Sequence, residues 1–297
     1  MVIITMFATK PDYTACHAYL TSVKDEAPTS WNFKQNPVFN QSMEHVSRAQ
    51  GILYIQCIER QFPEVTFDTL RRFVQMNDRY GAPTKSIMPF YCVSAGTNKL
   101  LYCSPTSLRY AYQALLTLKH AMATGCTHIM ELGAGYGGMF LALFIMVNEV
   151  YPECGLRHVT MLEAPGALPF LNAYLAAHET ELVSTARFTW SGGSVEHMAD
   201  HVAWEEDHGP TMLVSHFGFT EMNYDAQSFV RRIVVPKCTH GLLTWQTCFG
   251  DGVDDAQELL GTHVTYVDEE PATGPDHAKN YYVFYTDEHL NWNGHQR

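Results

Sequence analysis

The chain has no Cys-x-x-Cys pair, no block of basic residues and no uncharged apolar run of the roughly 18 residues that a membrane span needs. Its eight cysteines, at positions 16, 57, 92, 103, 126, 154, 238 and 248, are scattered. That pattern suits free thiols in a reducing, cytoplasmic setting. Only 19 Lys and Arg residues stand against 31 Asp and Glu, a net charge of −12. Phosphate backbones are gripped by clustered cations, so nucleic acid is not expected as a partner. The opening MVIITMFATKPDY lacks the basic flank and the apolar segment of a secretory signal. The longest apolar stretch, MFLALFIMV at 139–147, runs between glycines and Glu149, too short to span a bilayer.

What is present is a globular composition, 46% hydrophobic and 17% charged over 297 residues, enough to bury a sizeable core. The chain changes character near residue 115. Before that point, apolar residues recur at helical spacing over 41–60 and 66–76, separated by stretches rich in Pro, Gly and Asn. A further helix is predicted over 107–123, entered through Pro105. From 127 onward, strand-like runs (127–132, 157–163, 186–190, 211–215, 240–246, 262–268, 280–286) alternate with helical patterns (138–150, 166–178, 193–203, 224–234, 253–260). Such alternation predicts parallel strands with crossover helices, a three-layer α/β domain. The last two runs have no helix between them and are expected to pair antiparallel at one end of the sheet. Seven strands closing in that way resemble the methyltransferase type of Rossmann-like fold.

The segment IMELGAGYGGMF at 129–140 places an acid and four glycines between a predicted strand and a helix. Gly133, Gly135, Gly137 and Gly138 permit φ > 0 and close approach of a ligand to the backbone. The helix that follows offers unpaired N–H groups. A dinucleotide fingerprint needs an acid roughly 20 residues further on, whereas the next strand-ending acid, Glu163, lies thirty positions beyond Gly133. Glu131 precedes the first glycine by two. A carboxylate there repels a pyrophosphate and attracts a cation, which points to S-adenosylmethionine, with its ammonium and sulfonium. Glu163 then suits the ribose diol. The alternatives are a turn cap for Glu131 and a solvated strand end for Glu163.

The segments NDRYGAP (77–83), SPTSLRYAYQALL (104–116), MELGAGYGG (130–138), LEAPGALPFLNAYL (162–175) and HFGFTEM (216–222) together resemble the sugar O-methyltransferase group of S-adenosylmethionine-dependent enzymes. They keep their order over about 150 residues. SPTSLRY with FTEM is more distinctive than the glycine motif. The chain departs from that group at Glu163-Ala164-Pro165, where an Asp-Leu-Pro-like turn is usual, and at Gly218, where serine is common. The resemblance implies methyl transfer from S-adenosylmethionine to a sugar hydroxyl of a glycan or glycoconjugate, with S-adenosylhomocysteine as product. It implies residues 1–115 as a mostly helical lid or acceptor-binding region and 116–297 as the Rossmann-like catalytic domain.

Ser215 and His216 end the fourth strand, where open α/β sheets bind ligands. His216 is the candidate general base, since a neutral imidazole accepts a proton near pH 7. Glu221 would orient it or hold an acceptor hydroxyl. Tyr136, inside the glycine turn, is expected to touch the cofactor. Arg109, with Tyr112 one turn on, either closes over the methionine end or packs ordinarily. Asp251, Asp254 and Asp255 form either an oxygen-ligand site for a divalent metal or an acidic helix start, and the second reading is preferred. Fifteen histidines show no zinc spacing. Early aromatics such as Trp31, Phe33, Tyr54, Phe90 and Tyr91 read as core before sugar-stacking platforms. The rival functions are an NAD-dependent oxidoreductase of similar topology and a non-catalytic methyltransferase-like scaffold.

Overall fold

The computed structural model describes residues 13–40, 43–92, 96–194, 209–275 and 278–286. The N-terminal part holds α1 (Thr14–Val23), α2 (Pro37–Asn40), α3 (Arg48–Gln61), α4 (Phe67–Asn77) and a hairpin of β1 (Ser86–Cys92) with β2 (Thr97–Cys103). Ser47 opens α3 with a capping box: its hydroxyl accepts from the Gln50 N–H while the Gln50 side chain accepts from the Ser47 N–H. Thr66 caps α4 in the simpler way. The hairpin is absent from the sequence expectation because Pro89 interrupts its first strand, and proline demotes a run to an edge at best.

Helix α5 (Pro105–Thr124) follows, capped by Ser104 with Pro105 in its first turn, and runs unbroken through residue 115 to Gly125 at φ +70°. Then come β3 (His128–Leu132), α6 (Gly138–Glu149), β4 (His158–Glu163), α7 (Leu168–Ala176), α8 (Glu179–Thr185) and β5 (Thr189–Ser194). The remainder is β6 (Thr211–His216), α9 (Gly218–Glu221), α10 (Tyr224–Ile233), β7 (His240–Gln246), α11 (Ala256–Leu260), β8 (Val264–Asp268) and β9 (Asn280–Thr286). The helix predicted over 193–203 lies outside the described residues, apart from Gly193 and Ser194, which end β5.

The seven strands β3–β9 form one sheet in the order β5-β4-β3-β6-β7-β9-β8. The first five are parallel, and β9 inserts antiparallel between β7 and β8. This is the expected Rossmann-like methyltransferase arrangement, with the terminal antiparallel pair at one end. Side chains alternate faces along each strand, and the two faces carry two cores. Ile129, Met161, Val214, Leu242 and Tyr282 pack with α5, α6, α7 and the N-terminal helices. Met130, Leu162, Leu213, Leu243 and Val283 pack with α10 and α11. No helix among the described residues is long and apolar enough to cross a membrane. The seven cysteines whose side chains are described are free thiols.

Candidate active site

Parity along the strands decides what the sheet offers at its carboxyl edge. Counting in twos from the core residues of the α5–α6 face brings Glu163 to the tip of β4, Glu131 near the tip of β3 and His216 to the tip of β6. The same count brings Gln246 to the end of β7, and Asn280 pairs with it on β9. These five polar residues stand on neighbouring strands and line one cavity of about 520 Å³, a usual size for a small-molecule site. It lies where the strand order reverses, between β3 and β6. The opposite wall comes from the N-terminal part, including Tyr13, Met43, Gln50, Tyr54 and Arg109.

Glu131 is buried, and its Oε2 has no hydrogen-bond partner among the described residues. Burial first, and the Glu163 charge second, push its carboxyl up to about 8. Glu163 spans two turns, with Oε2 accepting from Gly135 N at 2.5 Å and Oε1 from Ala164 N at 2.7 Å. Burial raises it to about 7 although both N–H bonds favour the charge. Gly133 and Gly135 adopt φ of +79° and +59° and both line the cavity. At Gly135 the positive φ is what disfavours a side chain; a Cβ there would also meet the Met43 methyl at 2.2 Å, a flexible end that can give way. Arg109 enters from the second turn of α5. Its Nη2 donates to Met43 O at 2.8 Å, and its guanidinium stacks over Phe217 and Tyr110 at 5.6 and 5.4 Å. Its Nε has no partner among the described residues.

An unpaired carboxyl, a glycine turn and an unpaired guanidinium N–H on residues that line one cavity fit a zwitterionic sulfonium nucleoside. Glu131 would meet its cationic groups, Glu163 its ribose diol and Arg109 its carboxylate.

Several expectations are corrected. His216 lines the cavity, but Nδ1 lies 2.8 Å from Thr244 Oγ1 and Nε2 lies 3.4 Å from Thr117 Oγ1. Burial, with Arg109 adding to it, holds its pKa down to about 3, too low for an effective base near neutrality. Ser215 points to the other face of the sheet. Its hydroxyl donates to Leu132 O and accepts from Phe219 N, both at 2.9 Å, tying β3 to α9 without reaching the cavity. Tyr136 is likewise no cofactor contact. Its ring packs among Phe33, Phe39, Tyr110 and Tyr174 beneath Lys34, and its hydroxyl donates to Glu44 Oε1 at 2.9 Å. Gly137 stands at the N-cap of α6 against Leu171, outside the cavity lining. Tyr112 turns away to accept from Gln61 at 3.0 Å.

The distinctive motifs do structural work. Asp78 of NDRYGAP accepts from Ser104 N at 2.7 Å and Ser107 Oγ at 2.6 Å, so it holds the start of α5. Asn77 reaches Ser107 Oγ at 2.8 Å and the Tyr136 hydroxyl at 3.3 Å. In HFGFTEM, Phe217 takes φ +77°, a strained value for a non-glycine residue, and strain of this kind collects at functional sites. Gly218 follows because the turns after β3 and β6 touch there: a Cβ on it would sit 3.0 Å from Leu132 O. Glu221 of this motif lies at the cavity, where it accepts a hydrogen bond from the Tyr13 hydroxyl. Burial raises its carboxyl above the ordinary range.

Asp255 caps Gly252 N at 2.7 Å and Asp254 accepts from the Tyr266 hydroxyl at 2.9 Å, which is the helix-start reading of that acidic loop. Among the described residues no group of three or more His, Cys, Asp or Glu is arranged to hold a metal.

No family model and no curated protein matches the chain. Among solved structures it is similar to the N-terminal domain of EvdMO1 with SAH bound (12% identity, TM-score 0.39, covering 60% of this chain and 80% of that one). It is also similar to the METTL16 MTase domain (10%, TM-score 0.40, 97% and 99%) and to spermidine synthase from Thermotoga maritima (12%, TM-score 0.37, 68% and 69%). These likenesses are distant, and the fold rests on the strand order of the sheet itself.

Proposed function

We propose that the chain transfers a methyl group from S-adenosylmethionine to a hydroxyl oxygen, on a sugar of a glycan or glycoconjugate. The observation that carries this reading is the buried, unpaired carboxylate of Glu131 beside the Gly133–Gly135 turn. An orphaned acceptor of that kind is costly unless a cationic ligand answers it. When bound, S-adenosylmethionine supplies a methyl on a sulfonium, whose carbon–sulfur electron pair leaves with sulfur.

The protein's share is to hold, align and deprotonate. Glu131, Glu163 and Arg109 fix the donor at the β3–β4 side of the cavity, and the N-terminal region closes over it as a lid. The acceptor oxygen forms the new bond to carbon as its proton departs. Glu221 receives that proton: it lines the cavity, its burial makes it more basic than a solvated carboxylate, and Tyr13 orients it. Alignment of the two reacting atoms supplies much of the acceleration.

The test has two arms. Calorimetric titration should show S-adenosylmethionine and S-adenosylhomocysteine binding, with NAD far weaker. Equal or tighter binding of NAD would sink the reading. Mass spectrometry of a glycan library incubated with labelled S-adenosylmethionine should then reveal methylated products, and cofactor binding with no product in any glycan would favour the scaffold role.

A further inference from the structure

The strand tips that line the cavity are graded in chemistry. In sheet order they run Glu163, Glu131, His216, Gln246, Asn280. Three strand spacings of about 4.8 Å separate Glu131 from Asn280, roughly 14 Å, so a ligand held by the two glutamates leaves the β7–β9 end for something else. Among the described lining residues, the charged ones are Glu131, Glu163, Glu221 and Arg109; none comes from β7, β9 or the loop between β8 and β9. Of the carboxylates described on that loop, Glu270 pairs outside the cavity with Arg60 and Gln61, and Glu269 is turned inward and buried. It accepts from Thr273 N at 2.9 Å, from Thr273 Oγ1 and from Asn280 Nδ2 at 3.1 Å. Its charge is spent on holding the wall in place.

Resting on the methyl-transfer reading, we infer that this wall is the acceptor subsite and takes an uncharged, hydroxyl-rich acceptor through Gln50, Tyr54, Gln246, Thr273 and Asn280. Asn280 is more than nine-tenths buried and lines the cavity, yet its Oδ1 has no partner among the described residues. Its orientation is fixed, because the Glu269 carboxylate accepts only from the amide nitrogen. Oδ1 therefore waits for a donor, which a ligand hydroxyl provides. Gln50 commits its Oε1 to the start of α3, leaving its amide N–H groups to donate. Tyr54 and Thr273 reach each other; the Tyr54 hydroxyl both donates and accepts, whereas that of Thr273, donating to Glu269, is left to accept. Gln246 accepts from Thr220 Oγ1 at 2.9 Å and also contacts Glu221, which joins this wall to the proton acceptor. Alternating donors and acceptors without net charge suit hydroxyls. An anionic acceptor would need Arg109 for itself, and a cationic one would be drawn to Glu131.

Saturation-transfer NMR on the full chain with excess S-adenosylhomocysteine tests this. The probes are the methyl glycosides of glucose, galactose and mannose, with glucuronate and glucosamine as charged counterparts. At least one neutral glycoside should receive saturation where the charged sugars do not. Tyr54→Phe and Thr273→Val should each weaken that signal by about tenfold, the worth of one hydrogen bond, with S-adenosylhomocysteine affinity unchanged. The inference is overturned if a charged sugar binds in preference. It is equally overturned if no neutral glycoside binds, if both variants keep full binding, or if they weaken the nucleoside as much as the glycoside. Failure of S-adenosylhomocysteine to bind the wild type would refute methyl transfer instead, and glycoside binding to the ligand-free protein would still judge the subsite.

Discussion

Replacing Glu131 by Gln removes an ionisable carboxyl from the cavity and alters the pH dependence of everything that binds there. In the ligand-free protein this carboxyl is pushed up to about 8, by burial and then by Glu163. At pH 7 it is therefore mostly protonated, and ionising it to receive a sulfonium or ammonium costs about 1.4 kcal/mol, the equivalent of one pH unit. At pH 9 that cost is gone. The wild-type affinity for S-adenosylmethionine, divided by that of Glu131→Gln, should therefore grow about tenfold between pH 7 and pH 9. The ligand's own amino group titrates in the same range but equally for both proteins, so the ratio isolates Glu131. At pH 9 the variant should bind about tenfold to a hundredfold more weakly, the scale of a charge-assisted hydrogen bond. Stability moves the other way. A carboxyl that releases its proton near 4.5 when unfolded and near 8 when folded costs the native state increasingly as pH rises through that window. Ligand-free Glu131→Gln should thus melt above wild type at pH 8. Calorimetry at pH 7, 8 and 9, with buffers of different ionisation heat to count released protons, gives the comparison. An affinity ratio that stays constant with pH would refute the claim that this carboxylate meets the cation.

Three further outcomes follow from the same geometry. Glu221→Gln should lower turnover about 100-fold with nucleoside affinity unchanged, and His216→Ala should cost far less; the reverse order in steady-state kinetics would return the proton to His216. Asp78→Ala should destabilise the fold by about 1–3 kcal/mol, because Ser104 N and Ser107 Oγ lose a buried acceptor; an unchanged denaturation midpoint would show α5 held otherwise. His178 is buried between Tyr80 and Tyr174 with neither ring nitrogen paired among the described residues, and burial holds it down to about 4. Stability should fall as pH drops below about 6.5, where the unfolded imidazole gains a proton that the folded one refuses. His178→Phe should remove about 2 kcal/mol of that loss at pH 5, measured by urea denaturation.

The sheet was legible because its strands alternate with helices and several end in acids; β4, β6, β7 and β9 fall within a residue or so of their expected positions. Side-chain direction was less so. In MLVSH of β6 both faces are covered, so the apolar run carries no alternation to separate Ser215 from His216. Tyr136 lies in a glycine turn, where neither strand nor helix periodicity assigns a face. Of the opposite wall, only Arg109 and, as the less favoured reading of its ring, Tyr54 were singled out in the sequence. Tyr13, Met43, Gln50 and Tyr54 reach the cavity through packing against elements far away in sequence, and no local spacing marks them. The family-like motifs were legible as motifs, but Asp78, Asn77 and Tyr136 proved to lock the N-terminal part to α5 and α6. Distinctiveness in sequence here reports an interlocked buried network as much as a ligand contact.

The insertion of β9 between β7 and β8 sets an order in time as well as in space. A chain grows from its N-terminus and its elements fold as they emerge. The strands bearing Glu131, Glu163 and His216 are neighbours once residue 216 has been made, so that end of the cavity has its framework early. Gln246 and β8 arrive next but do not pair with each other; both need β9, the last strand described. Until it arrives, β7 presents an open edge and β8 has no partner among the described strands, so unpaired backbone stays exposed to other chains. Of the strand residues that line the cavity, Asn280 is the last to be made.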